Sequence, residues 1–119
     1  MKREIVKVWC GFDVLFIDRL VGVLRTASTI VNLRFGHKNI RANSIAPGLI
    51  KTDFAKALWE NPGILKTVLS STPMQRIGVP DEIAGVAVML ASEAGNYING
   101  QTIVVDGGTT ISWLNFSIH

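Results

Sequence analysis

The chain has 119 residues, of which 48% are hydrophobic and 18% charged, with a formal net charge of +3. This apolar content excludes a disordered chain, and the scattered basic residues exclude the clustered patch that nucleic-acid binding requires. Its one cysteine, Cys10, cannot form an internal disulfide, and no spacing of ligand residues indicates a metal site. Charged residues interrupt the first apolar stretch before it reaches the roughly 20 residues of a membrane span. We therefore expect a cytoplasmic protein with neither membrane nor nucleic-acid partners.

The first half of the chain predicts a helix followed by a strand. Residues 5–9 favour a brief strand, and residues 15–35 favour a helix because apolar side chains recur every three or four positions. That predicted apolar stripe contains Phe16, Leu20, Val23, Leu24, Ala27, Ile30 and Val31. Gly36 is placed to end the helix in a left-handed conformation. Residues 40–46 predict a strand, which Pro47-Gly48 stops.

The second half predicts short helices, a longer helix and a final strand. Residues 52–72 predict a loop with two short helices, one capped by Thr52-Asp53 and broken at Asn61-Pro62-Gly63. Residues 80–92 predict the clearest helix, which buries Ile83, Val86, Ala87 and Leu90. Residues 101–105 are a β-branched strand. A strand, a helix and a second apolar strand predict an α/β fold with a parallel sheet.

Four segments in this order carry a family resemblance: Asn39–Thr52, Pro73–Ala84, Leu90–Glu93 and Ile98–Gly108. Together they resemble the C-terminal part of short-chain dehydrogenases/reductases, over residues 35–112. The resemblance implies a partial Rossmann-type doubly wound sheet, with its last two parallel strands and their flanking helices. We accordingly divide the chain into a mostly helical segment unlike the family (1–34), the family segment (35–112) and a tail (113–119).

The resemblance implies a cofactor-binding role for Pro47, Gly48, Ile50 and Thr52. In the family, backbone groups at the position of Ile50 bond the nicotinamide carboxamide, and the hydroxyl matching Thr52 contacts the carboxamide or a phosphate. The simpler alternative is that Pro47-Gly48 merely ends a strand. The next segment matches the family's substrate lid, and its apolar side chains either line a substrate pocket or pack on the domain. These side chains are Phe54, Leu58, Trp59, Leu65 and Leu69.

The resemblance also identifies what this sequence does not contain. The family spacing puts Ile17 and Val21 at the positions of its catalytic tyrosine and lysine, and neither side chain transfers a proton. The only tyrosine, Tyr97, is followed four residues later by Gln101, and no G-x-G phosphate motif is present. We therefore expect no catalytic residues. The implied cofactor, NAD or NADP, should bind weakly, and the implied substrate is a small alcohol or carbonyl compound.

Two functions follow from these observations. The first is a truncated NAD(P)-dependent oxidoreductase that is inactive alone, and the alternative is a non-catalytic module that docks on a full-length dehydrogenase. A homo-oligomer is expected because the family often associates through its last helix and strand. The apolar residues Val86, Val88, Met89, Ile103 and Val105 suit that interface and an ordinary core equally. The abrupt start of the resemblance favours a broken or frameshifted gene over a mis-called start or a fusion.

Overall fold

The computed structural model describes the backbone of residues 4–8 and 27–114 and the side chains of residues 27–112. Within these residues the chain forms a parallel sheet of three strands in the order β1-β2-β3. The strands are β1 (Glu4–Val8), β2 (Arg41–Pro47) and β3 (Thr102–Val105). The last two are the strands predicted from the sequence, so the α/β class and the parallel sheet are confirmed.

β2 is the central strand and the most buried part of the described sheet. It pairs with β1 from Arg41 to Ile45 and with β3 from Ser44 to Pro47. The brief strand that the sequence favoured near the N-terminus therefore covers the edge of β2 that β3 leaves open. Ile45 is fully buried, and Ala42 is 7% exposed. Because these side chains are buried, β2 is held firmly in the sheet up to Pro47, where the chain leaves it.

α1, described over residues 27–35, reverses part of the sequence prediction. Ser28 is buried, whereas Ile30 is 60% exposed and Ala27 also faces outward. The described part of the apolar stripe is therefore not the face buried in this chain. Asn32 faces the sheet, where its amide bonds both the N–H and the C=O of Ala42. The side-chain amide gives each of these backbone groups a second partner, besides the Asn99 oxygen on the N–H and the Gly100 N–H on the C=O.

The end of α1 also differs from the prediction. The chain continues through a 3₁₀ turn at Gly36–Lys38, and the left-handed residue is Asn39, with φ of 59°. The prediction of a left-handed Gly36 was wrong. Asparagine is the non-glycine residue that tolerates this conformation best, because its short polar side chain bonds locally. The part of the predicted helix before residue 27 lies outside the described residues.

The lid contains the two predicted short helices, but the predicted Thr52-Asp53 cap was wrong, because the first helix begins after Ala55 and has no side-chain cap. The two helices are α2 (Lys56–Trp59) and α3 (Pro62–Ser71). Asn61 caps α3 by accepting the N–H groups of Gly63 and Ile64, and Pro62 occupies the first turn. The Asn-Pro-Gly sequence that ends one helix therefore also begins the next.

α4 (Pro80–Ala91) packs against β1 and β2 and is the predicted long helix. Pro80 stands in its first turn, and Leu90 is fully buried on the face that the sequence assigned to the core. The guanidinium of Arg41, itself 7% exposed, donates to the C=O groups of Leu90 and Ile98 at 2.6 and 3.0 Å. A cation at the C-terminal end of a helix meets the negative end of its dipole. No described helix is long and apolar enough to cross a membrane.

Candidate cofactor site

The candidate site begins where β2 and β3 end side by side. The N–H of Gly48 donates to the C=O of Val105 at 2.9 Å. A Cβ atom at Gly48 would lie 2.8 Å from the Cα of Asp106, which is backbone and cannot rotate away. The absence of a side chain at Gly48 therefore allows the close approach to the strand-end turn of β3. Pro47 is buried as the last residue of β2, so both residues also end the strand as the simpler alternative proposed.

Ile50 is anchored by its neighbours rather than by its own amide. The C=O of Leu49 accepts the N–H of Gly78, and the N–H of Lys51 donates to the C=O of Gly78, both at 2.9 Å. The Ile50 side chain is 6% exposed. No described residue accepts the N–H of Ile50, although the two residues beside it are bonded. The loop therefore holds one amide donor without a protein acceptor among the described residues.

Thr52 stands two residues further along the same loop. Its N–H donates to the C=O of Ile50 at 2.8 Å, and its Oγ1 accepts the N–H of Ala55 at 3.2 Å. The hydroxyl proton has no acceptor among the described side chains or backbone groups. A carboxamide carries one acceptor oxygen and an NH₂ donor group. The Ile50 N–H has the donor chemistry that suits such an oxygen, and the Thr52 hydroxyl can donate to the oxygen or accept from the NH₂ group.

Arg76 and Glu82 form a bidentate ion pair behind this loop. The two N···O distances are 2.6 and 2.9 Å, and the Glu82 carboxylate also accepts the N–H of Val79 at the start of α4. The hydrogen bond from Arg76, and then that from Val79, lower the pKa of Glu82 to about 2. The same carboxylate raises the pKa of Arg76. Both side chains remain partly exposed, so this pair acts chiefly by fixing the geometry of the approach to α4.

The Asp106-Gly107-Gly108 turn closes the other side of the site. The Asp106 carboxylate accepts the N–H groups of Gly108 and Thr110, at 2.9 and 2.8 Å, and so caps the helical turn that follows. Gly107 has φ of 64°, and a Cβ atom there would lie 2.9 Å from Thr72 Cγ2. Asp106 is thus used structurally within the turn, and the lid residue Thr72 rests directly on the glycine.

A cavity of about 140 Å³ lies between the loop, the lid and the turn. Its walls include Ile50, Thr72, Met74, Glu82 and Asp106. The cavity separates the anchored base of the lid from the end of the sheet. It is close in size to a few water molecules, given the roughly 30 Å³ that each occupies in the liquid.

The lid side chains do not behave as one group. Phe54 is 80% exposed, whereas Leu58, Trp59, Leu65 and Leu69 are half-buried. The choice between a substrate pocket and packing on the domain therefore stays open for the half-buried four. One of them also makes a polar contact that the sequence did not predict. The indole N–H of Trp59 donates to the C=O of Thr52 at 2.9 Å.

The structure brings together Pro47, Gly48, Ile50 and Thr52 on one loop at the end of β2. Ile17 and Val21, which stand at the family's catalytic positions, lie outside the described residues. Among the residues that are described, no group of three or more His, Cys, Asp and Glu side chains is placed to hold a metal ion.

Comparison with known proteins identifies the family. A family profile described as enoyl-(acyl carrier protein) reductase matches residues 22–110. A dehydrogenase/reductase SDR family member 4 from Oryctolagus cuniculus is 43% identical over 89 residues, which are 75% of this chain and 33% of that protein. The fold matches a Burkholderia cenocepacia gluconate 5-dehydrogenase in complex with NADP and tartrate, with a TM-score of 0.79 and 29% identity. A 4-hydroxyisoleucine dehydrogenase complexed with NADH matches with a TM-score of 0.78 and 25% identity.

The family profile covers α1, the lid, α4 and the strands β2 and β3. The two structures align with 91% and 93% of this chain and 45% and 48% of their own. The chain thus spans about a third of the length of the curated relative and under half of each solved structure. With a profile match over residues 22–110 and parallel strands of the same arrangement, the chain belongs to the short-chain dehydrogenase/reductase family.

Proposed function

We propose that this chain provides the nicotinamide end of an NAD(P) site and the substrate lid of a short-chain oxidoreductase. The observation that carries the proposal is the Ile50 amide, an N–H donor with no acceptor among the described residues at the carboxyl end of a parallel strand. Ligands of open α/β sheets bind beyond this end of the strands. The relatives complexed with NADH and NADP support a nicotinamide cofactor.

In this proposal each residue of the loop has a separate task. Pro47 and Gly48 fix the exit from β2, the Ile50 N–H donates to the carboxamide oxygen, and the Thr52 hydroxyl bonds the carboxamide or a phosphate. The cofactor, when bound, supplies or accepts the hydride, while the protein orients it. The substrate would be a small alcohol or carbonyl compound enclosed by the lid of α2 and α3.

We further propose that the 119-residue chain does not transfer hydride alone. Ile17 and Val21 cannot perform the proton transfer that the family's tyrosine and lysine perform. The sequence also has no G-x-G motif to receive the pyrophosphate, so whole dinucleotides should bind weakly. Reduced-nicotinamide absorbance with a panel of alcohols and ketones tests this directly. Turnover above background would contradict the proposed inactivity.

The alternative function, docking on a full-length dehydrogenase, has its own supporting observation. Val88 on α4 is 67% exposed, and Val104 on β3 is 45% exposed. An apolar surface on these two elements suits either a second copy of this chain or a longer relative. We propose the homo-oligomer as the simpler form. Val88→Glu should then lower the mass measured by light scattering, and an unchanged mass would contradict it.

The organisation of the chain and its setting complete the proposal. We propose that residues 35–112 form the family unit, with residues 1–34 as a separate N-terminal segment, of which the family profile matches residues 22–34, and residues 113–119 as a tail. A cytoplasmic setting is supported by the single cysteine, which leaves no internal disulfide to maintain.

The site itself is tested with a cofactor fragment. Nicotinamide mononucleotide keeps the carboxamide, ribose and one phosphate and dispenses with the adenine half. In ¹⁵N-resolved NMR of the whole chain it should shift the amide signals of Ile50 and Thr52, with half-saturation in the millimolar range expected of a small fragment. Adenosine monophosphate is the matched control and should leave these signals in place. Equal shifts with both nucleotides, or none with either, would contradict the proposed site.

A further inference from the structure

Trp59 joins the lid to Thr52, one of the two residues proposed to contact the cofactor. Its indole N–H donates to the C=O of Thr52 at 2.9 Å, across seven residues. Its backbone N–H donates to the C=O of Ala55, which is 2% exposed. One end of the bond therefore lies on α2 and the other lies on the loop that leaves β2.

Thr52 accepts hydrogen bonds through both its backbone carbonyl and its hydroxyl oxygen. The Thr52 C=O accepts from both the Trp59 indole and the Ala55 N–H, while the Thr52 hydroxyl oxygen accepts the same Ala55 N–H. The Lys51 ammonium lies 5.3 Å from the centre of the Trp59 ring. The indole bond holds the Thr52 backbone, and the bond that the Thr52 hydroxyl oxygen accepts from Ala55 then restricts the direction of the side chain.

We infer that Trp59 is a positioning residue for the nicotinamide end of the site, acting through Thr52; this inference rests on the proposed function. The indole holds the Thr52 carbonyl in place, and the Thr52 hydroxyl is thereby aimed at the carboxamide or phosphate. The packing of α2 against the loop therefore also orients the Thr52 hydroxyl. The hydrogen bond from Trp59 to Thr52 couples the position of the lid to the cofactor contact.

The test uses Trp59→Phe in the whole chain. Phenylalanine keeps an aromatic face for Lys51 and removes the N–H donor together with one ring of the indole, and Thr52 keeps its bond from Ala55. Loss of one hydrogen bond predicts an affinity for nicotinamide mononucleotide lower by about 2- to 10-fold. Thr67→Val is the matched control, since it removes a lid hydrogen bond within α3, to the C=O of Gly63, and does not touch Thr52. Its affinity for the mononucleotide should equal that of the wild type.

Two further measurements separate positioning from simple stabilisation. Thr52→Val alone and Thr52→Val with Trp59→Phe should bind the mononucleotide equally weakly, because Trp59 acts through the missing hydroxyl. In the unaltered chain, the Trp59 indole N–H signal should shift with the same half-saturation as the Ile50 amide. This second readout stands even where Trp59→Phe fails to fold.

The outcomes are distinguishable. Wild-type affinity in a folded Trp59→Phe, additive losses in the double variant, or an indole signal that stays fixed while Ile50 shifts would each overturn the positioning role and leave the proposed site standing. Failure of the wild-type chain to bind the mononucleotide would overturn both.

Discussion

The two ends of β2 differ in how fully their backbone groups are hydrogen-bonded. At its start, the N–H of Ala42 is shared by the side-chain oxygens of Asn32 and Asn99, at 3.2 and 2.9 Å, and its C=O accepts from Asn32 and from the N–H of Gly100. Past its end, the Ile50 N–H has no acceptor among the described residues. Side-chain amides thus satisfy the backbone groups at the start of β2, whereas the loop beyond its end keeps an N–H that can donate to a ligand. Polar side chains near a strand end are therefore not by themselves evidence of a ligand-binding site. The stronger evidence is a hydrogen-bonding group that has no partner among the described residues.

Asn43→Ala should have the largest effect, and it tests the closed end. Asn43 is 3% exposed, donates to the C=O of Ile98 and accepts the N–H of Gln101, both at 3.0 Å. Its loss deprives the Gln101 N–H of its side-chain acceptor and removes one of the two donors to the Ile98 C=O, which keeps the bond from Arg41. These losses together cost about 2–3 kcal/mol of unfolding free energy. Denaturant unfolding measures the change. Asn61→Ala, which removes an exposed helix cap, is the comparison and should cost about 1 kcal/mol. Similar losses in the two variants would show that the start of β2 is not the more tightly bonded end.

Gly48→Ala should have an intermediate effect at the open end. The added Cβ atom would meet the Asp106 backbone at 2.8 Å, and separating β2 from β3 there costs about 1–3 kcal/mol. Gly85→Ala is the matched control, because nothing lies within 4 Å of its added Cβ atom and it stands inside α4. That substitution should stabilise the chain by about 0.5–1 kcal/mol. Thermal unfolding checks both, and a Gly48→Ala variant as stable as the wild type would refute the close approach.

The smallest expected effect is a dependence of stability on acid pH. The pKa of Glu82 is lowered from 4.5 to about 2 in the fold, chiefly by the hydrogen bond from Arg76. A lowered pKa favours the folded state above the unfolded value, so this contribution is present above about pH 4.5 and is lost as the pH falls towards 2. Glu82→Gln should flatten the fall in stability over this range, measured by denaturant midpoints at several pH values. An unchanged slope in Glu82→Gln would mean that other carboxylates set the acid sensitivity.

Local patterns in the sequence predicted the elements well where burial and propensity agree. α4 follows from Pro80, the acidic first turn and the apolar spacing that ends in Leu90, and β3 follows from its β-branched residues. The apolar stripe failed at Ala27 and Ile30, which are exposed, whereas Ser28 is buried and Asn32 bonds the sheet. Spacing identifies an apolar face but does not say which other element covers it.

The site was predicted only as far as the family motif reaches. The sequence placed Pro47, Gly48, Ile50 and Thr52 on one loop, and the structure agrees, but their binding role stays a prediction. The contact from Trp59 to Thr52 was missed because indole donors leave no periodic signal. The bonds from Ala42 to Asn99 and from Arg41 to Ile98 each span 57 residues, and no local pattern encodes such a pair.

The most direct test of the cofactor site is an intermolecular nuclear Overhauser measurement on the chain with nicotinamide mononucleotide. Our account predicts cross-peaks between the nicotinamide ring protons and protons of Ile50 and Thr52, and none to the Asn32–Asn99 end of β2. Cross-peaks confined to other surfaces, with none to this loop, would contradict the claim that the carboxyl end of β2 is the nicotinamide site.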